Sequence, residues 1–170
     1  MTALHEMVDD LKSAVTCSAW YSALSLALTL PDICGRLADP TKGSEARFVE
    51  WFNTFVKPKY TLPVGPQHVQ TVFLEGADCY ALRCAYLHQG EHDLGGQRAR
   101  QALDRFHFTR PRPGLVVHKN TVSSSAGSAT LQLQVDLFCL DICAAVEAWL
   151  HTVQGSNAVQ SRIDMLAAFW

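Results

Sequence analysis

In the stretch "YALRCAYLHQGEHD", residues 80–93, an arginine and a histidine stand five positions apart in an otherwise mostly apolar run. The pair, Arg83 and His88, has the chemistry for cutting RNA without a metal. In such a reaction the ribose 2′-hydroxyl attacks the neighbouring phosphorus, leaving a 2′,3′-cyclic phosphate and a free 5′-hydroxyl. A histidine that titrates near neutrality moves the protons. An arginine fork fits two phosphoryl oxygens and stabilises the charge that builds on them. One imidazole does not easily act as base and acid on opposite sides of an in-line displacement, whereas two copies can.

Helix geometry limits how the two side chains meet. Five residues at 3.6 per turn rotate them by about 140°, so within a regular helix they do not share a face. Either His88 lies past the helix end, where Gly90 lets the chain turn, or the pair converges across an interface.

The same residues carry other readings. A histidine in a last helical turn steadies the negative end of the dipole, Gly90 serves as the residue beyond the cap, and Arg83 pairs with Glu75, Asp78 or Asp93. Cys84, His88 and His92 follow an i, i+4, i+8 spacing suited to zinc, with Glu91 and Asp93 beside them and Cys139 and Cys143 as remote thiolates. Gly90 interrupts that helix face and no fourth ligand stands out, so neither a metal nor a cofactor is assigned. Nucleophilic hydrolysis lacks a Gly-x-Ser-x-Gly elbow, and "LGGQRAR" has neither the spacing nor the Lys-Ser/Thr of a phosphate-binding loop. The densest basic stretch comprises Arg98, Arg100, Arg105, Arg110 and Arg112, with Phe106, His107 and Phe108 among them. It reads as a solvated loop or as an RNA-contacting strip that combines charge with stacking surfaces. In the second case Arg98, Arg100, Arg110 and Arg112 are the candidate substrate contacts.

The elements that must position these residues are mostly helical. The chain has 170 residues, 48% of them hydrophobic and 18% charged, with a net charge of −2. That length suits one domain spanning 1–170, and no global basic field advertises nucleic acid. Residues 14–30 hold no charged side chain, but seventeen residues lie at the bottom of the spanning range. Glu6, Asp9 and Asp10 before them have the wrong sign for a signal peptide. A central bundle helix in a cytoplasmic protein with no membrane contact is the expectation. The six cysteines contain no CxxC pair and sit mainly among Ala, Leu and Ile, as free, buried thiols would.

Apolar spacing predicts one long helix or two abutting ones over 2–30, ended by Pro31, and a turn or half-helix over 31–40. A helix is expected over 44–56, capped by Ser44, with Trp51, Phe52 and Phe55 on its core face. Trp20 and Tyr21 are read as core too. Residues 57–66, with three prolines, read as a loop. The next helix is expected from about His68 to Gln89, with Gly76 marking a break or a close helix crossing. A polar loop follows. Segments around 106–135 look extended, with Leu131, Leu133 and Val135 alternating with glutamines and "SSSAG" as the turn. Helices close the chain at 135–153 and at 157–170, the latter capped by Asn157. The expected fold is mostly α, a bundle of four to five helices with a small inserted antiparallel β-hairpin at about 106–135.

Such a bundle, with Arg83-Cys84-Ala85-Tyr86-Leu87-His88 near the end of one helix and Gln89-Gly90 after it, resembles the HEPN superfamily. The phrase "LRCAYLHQG" is similar to the Arg-x4-6-His signature of such domains; Cys84 stands where the family pattern commonly has a polar residue, often Asn. The specific match covers about ten residues. The resemblance implies a HEPN-like bundle and a homodimer in which the motif helices meet across a two-fold axis. In active members it implies metal-independent endoribonuclease activity, with Arg83 and His88 catalytic and no cofactor. Many members do not cut RNA, and the alternative is a catalytically silent module that binds RNA, a nucleotide or a partner protein.

Overall fold

The computed structural model describes residues 2–87, 105–123 and 129–166. Along them run α1 (Ala3–Thr16), α2 (Trp20–Ala38), α3 (Ser44–Phe55), a 3-10 turn (Lys57–Tyr60), β1 (Thr61–Val64), β2 (Val69–Val72) and α4 (Gly76–Leu87). Then come β3 (Phe106–Thr109), β4 (Asn120–Ser123), β5 (Ala129–Gln134), α5 (Val135–Thr152) and α6 (Asn157–Asp164). The fold is mostly helical, and α2 lies at its centre, packed against α1, α3 and α5. Ala23, Leu24, Ala27, Leu28, Leu30, Cys34 and Leu37 of α2 are buried, which accounts for the chargeless stretch. Among the described residues no helix is long and apolar enough to cross a membrane.

The first helical region divides at Cys17–Ala19, where Ser18 takes φ 58°. Pro31 does not end a helix: it sits buried inside α2, which continues to Ala38. An interior proline costs roughly 3 kcal/mol locally. Leu30, Cys34 and Leu37 on either side are buried, and each large apolar side chain removed from water returns about 1.5–3 kcal/mol. Tertiary burial therefore outweighs the local penalty. The helix stops at Asp39, and Arg162 of α6 closes its end, Nε donating to the Leu37 carbonyl at 2.7 Å and Nη2 to that of Ala38 at 3.2 Å.

Residues 61–72, expected as loop and early helix, form the antiparallel hairpin β1–β2, paired from Thr61↔Val72 to Val64↔Val69. Gly65 at φ 72° makes its turn. The spacing of Val69, Val72 and Phe73 imitates a helix stripe, but two β-branched valines and Thr71 beyond a Gly-Pro turn prefer the pleat. Helix α4 begins only at Gly76, where the backbone of α3 passes so closely that a Cβ would stand 2.7 Å from the Val49 carbonyl oxygen. The break and the close crossing expected at Gly76 both occur. Gly35 makes the matching crossing of α2 on α3, 2.7 Å from the Arg47 carbonyl oxygen.

The sheet at 106–134 has order β3-β5-β4. The β4–β5 pair is the expected antiparallel hairpin, but β3 joins β5 in parallel, so the unit is a three-stranded mixed sheet. Most of the "SSSAG" turn lies outside the described residues. Leu131 and Leu133 of β5 are buried while Gln132 is not, as the alternation required, but Gln134, expected on the wet face, is buried, because β5 passes directly into α5 there. Two expected caps are displaced. Ser156, not Asn157, precedes α6 and accepts from the Val159 N–H, and Ser44 is the first residue of α3, its hydroxyl turned to Asp32. All six cysteines are free; Cys34, Cys79, Cys139 and Cys143 are buried, Cys84 is half-buried, and Cys17 is exposed.

Candidate functional site

Helix α4 buries Gly76, Cys79, Leu82 and Ala85 against the bundle, which carries Arg83 to the seam with α2 and α3. Its Nη2 donates to Asp32 Oδ2 at 3.1 Å. The other oxygen of Asp32 accepts from Arg47 Nε at 3.3 Å and from the Ser44 hydroxyl at 3.2 Å. The side chains of Arg83, Asp32 and Arg47 are 16%, 18% and 15% exposed. Two guanidiniums thus share one carboxylate, a local excess of positive charge in a setting where water screens poorly. Arg47 Nη1 is further held by the Lys42 carbonyl at 3.3 Å. Arg83 Nε is buried without a hydrogen-bond partner, and Cys84 Sγ lies 4.0 Å from its Nη1.

Tyr80, one turn earlier on α4, completes the setting. The Arg83 guanidinium carbon stands 5.9 Å from its ring centre, and Phe48 meets the ring edge-on at 5.4 Å. Burial pushes the Tyr80 hydroxyl above its usual range. The ring therefore stays neutral beside the guanidinium.

The partners expected for Arg83 are engaged elsewhere. Glu75 pairs with Lys57 at 3.3 Å and Asp78 with Arg105 at 3.1 Å; Asp93 lies outside the described residues. The true partner is 51 positions away, in "LPDIC". An aspartate inside an apolar helix was its signal in the sequence, hidden by the reading of that segment as a turn.

Of the remaining candidates, His88, Arg98 and Arg100 lie outside the described residues, as does His92; Leu87 is the last described residue of α4. Arg112 stands in a turn bridged to Leu115. Arg110 is exposed and lines a cavity of about 380 Å³ with Ser18, Ala19, Trp20, Tyr21 and Ser22. Neither arginine is bonded to the Arg83–Asp32–Arg47 group. Trp51 and Phe52 are core residues as expected, and Trp20 packs against the core, but Tyr21 is 76% exposed. Among the described residues no three or more His, Cys, Asp or Glu side chains converge to hold a metal. Cys139 and Cys143 are core thiols that burial pushes up to about 12 and about 11.

A second charged group escaped the sequence. Asp141 of α5 receives Lys59 at 3.2 Å and Lys119 at 3.4 Å, and His118 Nε2 stands 3.5 Å from it, at the long edge of hydrogen-bond range. His118 Nδ1 accepts the Gln134 N–H at 3.2 Å, so the ring proton is on Nε2, facing the carboxylate. Lys119 also lies over the buried Tyr60 ring at 4.6 Å. Burial raises the Asp141 pKa, but the His118 ring, Lys119 and Lys59 together hold it well below the usual carboxylate range. With Nδ1 held by the Gln134 N–H and Nε2 buried beside the carboxylate without a hydrogen bond of its own, the group is a clamp joining the 3-10 turn, the approach to β4, and α5.

The clamp has a testable pH signature. A depressed folded-state pKa gives stability that is present above the unfolded value of about 3.9 and lost as the pH falls toward the folded one. Asp141→Asn should cost about 1.5–3 kcal/mol at pH 7, read from urea midpoints. The gap between the two proteins should narrow between about pH 4 and pH 2, and an unchanged gap would refute the clamp.

No protein family, curated protein or solved structure matches this chain.

Proposed function

We propose that this chain is a HEPN-like, metal-independent endoribonuclease acting as a homodimer, with Arg83 and His88 as its catalytic pair. The observation that carries the reading is the Arg83–Asp32 bond: a carboxylate holds one Nη of the guanidinium in the seam of α2, α3 and α4, with Arg47 adding a second positive charge. A fork fixed before substrate arrives costs no reorganisation when the phosphorane forms. Lys in place of Arg83 would lack the second prong.

In the reaction, His88 of one copy takes the 2′-hydroxyl proton as the P–O2′ bond forms. The second copy's His88 gives a proton to O5′ as the P–O5′ bond breaks. Arg83 holds the non-bridging oxygens, and Arg98, Arg100, Arg110 and Arg112 contact the strand. No metal or cofactor enters the balance.

A second reading is favoured by the burial of Arg83 and by Cys84 beside it: a catalytically silent HEPN-like module that binds RNA, a nucleotide or a partner protein. Incubation with mixed single-stranded and structured RNA in EDTA separates the two. Cleavage by the native protein alone, leaving cyclic-phosphate ends, with Arg83→Ala and His88→Ala both inactive, supports the nuclease. Cleavage by all three identifies another site or a contaminant. Absence of cleavage by the native protein transfers the assignment to the binding module.

A further inference from the structure

Tyr21 and the serines beside it have no part in the chemistry above, yet the cavity they line also takes in Arg110. Four side chains line it: Ser18 from the break between α1 and α2, Tyr21 and Ser22 from the start of α2, and Arg110 from the segment after β3. Among the described residues none of the four side chains has a hydrogen-bond or ion-pair partner, unlike Ser25 and Thr29 further along α2, whose hydroxyls return to the carbonyls four residues back at 2.8 Å each. Arg105, by contrast, is paired with Asp78. Trp20 anchors the turn by packing against the core, leaving Tyr21 to project. The place is connected to α4: the Tyr86 hydroxyl donates to the Tyr21 carbonyl at 3.4 Å, two residues before His88.

We infer that this cavity is a nucleotide subsite for single-stranded RNA, with Tyr21 as the stacking surface for a base and Arg110 as the contact for a phosphate. The inference rests on the ribonuclease reading and names how its substrate is held. An exposed ring accepts any base face, and a cation without a carboxylate partner is free for a backbone phosphate. The serine hydroxyls offer hydrogen bonds to ribose or to a base edge. The volume falls within the range of small-ligand sites. Binding here is sequence-tolerant, because stacking and phosphate contact carry little base identity.

The test uses the full chain and a fluorescein-labelled 2′-O-methyl RNA hexamer, which a 2′-hydroxyl mechanism cannot cut, read by anisotropy across a salt series. Tyr21→Ala should weaken binding roughly tenfold while Tyr21→Phe stays within about twofold, since the ring carries the effect. Arg110→Ala should reduce the slope of log K against log salt by about 0.7, the value for one phosphate contact on a single strand. Cleavage of unmodified RNA by the native protein is followed in parallel. If the native protein binds the hexamer and cleaves unmodified RNA, and all three variants bind as it does, the subsite is wrong and the nuclease reading stands. If Tyr21→Ala and Arg110→Ala weaken binding but the native protein does not cleave, the subsite stands and the silent reading replaces the catalytic one. If the native protein neither binds nor cleaves, both fall. Arg110 is exposed, so its variant remains informative even if Tyr21→Ala disturbs the turn.

Discussion

If the chain is the nuclease proposed above, Arg83→Ala should lower RNA cleavage by about 10²–10³-fold, the usual cost of removing one preorganised charge-stabilising group, while unfolding should move by only about 1–2 kcal/mol. The separation follows from how Asp32 is held. Without Arg83 its carboxylate keeps Arg47 and the Ser44 hydroxyl, so no uncompensated charge is left in the seam. Asp32→Asn reverses the balance. It strands two guanidiniums that are each about 15% exposed, and breaking a buried pair from that side costs about 3–5 kcal/mol. Arg83→Lys should retain much of the stability but little of the activity, because an ammonium has no second prong to offer a phosphate. Cleavage rates and urea midpoints for the three variants check this directly. A midpoint loss for Arg83→Ala as large as that for Asp32→Asn, with no cleavage to lose, would make Arg83 a structural residue only.

Gly35→Ala and Gly76→Ala destabilise the protein although helix propensity alone says the opposite. Alanine in a helix interior, where Gly35 stands, is favoured over glycine by about 1 kcal/mol; at Gly76, the first residue of α4, the gain is smaller. At both positions, however, the new Cβ meets backbone rather than a flexible side chain: 2.7 Å from the Arg47 carbonyl oxygen at Gly35, and 2.7 Å from the Val49 carbonyl oxygen at Gly76. Relief requires α3 to move away from α2 or from α4, and overpacking of this kind costs about 1–3 kcal/mol, with the propensity gain set against it. The Gly35 substitution has a further consequence, because the residue it displaces, Arg47, shares Asp32 with Arg83. Its effect on cleavage should therefore exceed that of Gly76→Ala at equal loss of stability. Chemical denaturation of both variants is the measurement, and a raised midpoint for either would mean that the crossing is looser than described.

Much of this molecule is legible in its sequence wherever a local cause decides. The apolar face of α3, the uncharged body of α2, the alternation in β5 and the long hydrophobic α5 each follow from side-chain period and burial. Gly76 announced a close crossing because a glycine there had no better reason to exist. The residues misread are those where a distant partner overrides a local rule. Pro31 stays inside α2 because the side chains around it are buried on several sides. Val69 and Val72 join a strand because Thr61–Val64 is there to pair with them. Asp32 and Asp141, the two carboxylates around which the cations gather, sit in apolar helices and give no local sign of which arginine, lysine or histidine they receive. Spacing along the chain named Arg83 as a residue with a use, since residue type is a local property. Only the packing of α2, α3 and α4 chose its partner, because an ion pair between positions 32 and 83 depends on where two helices cross.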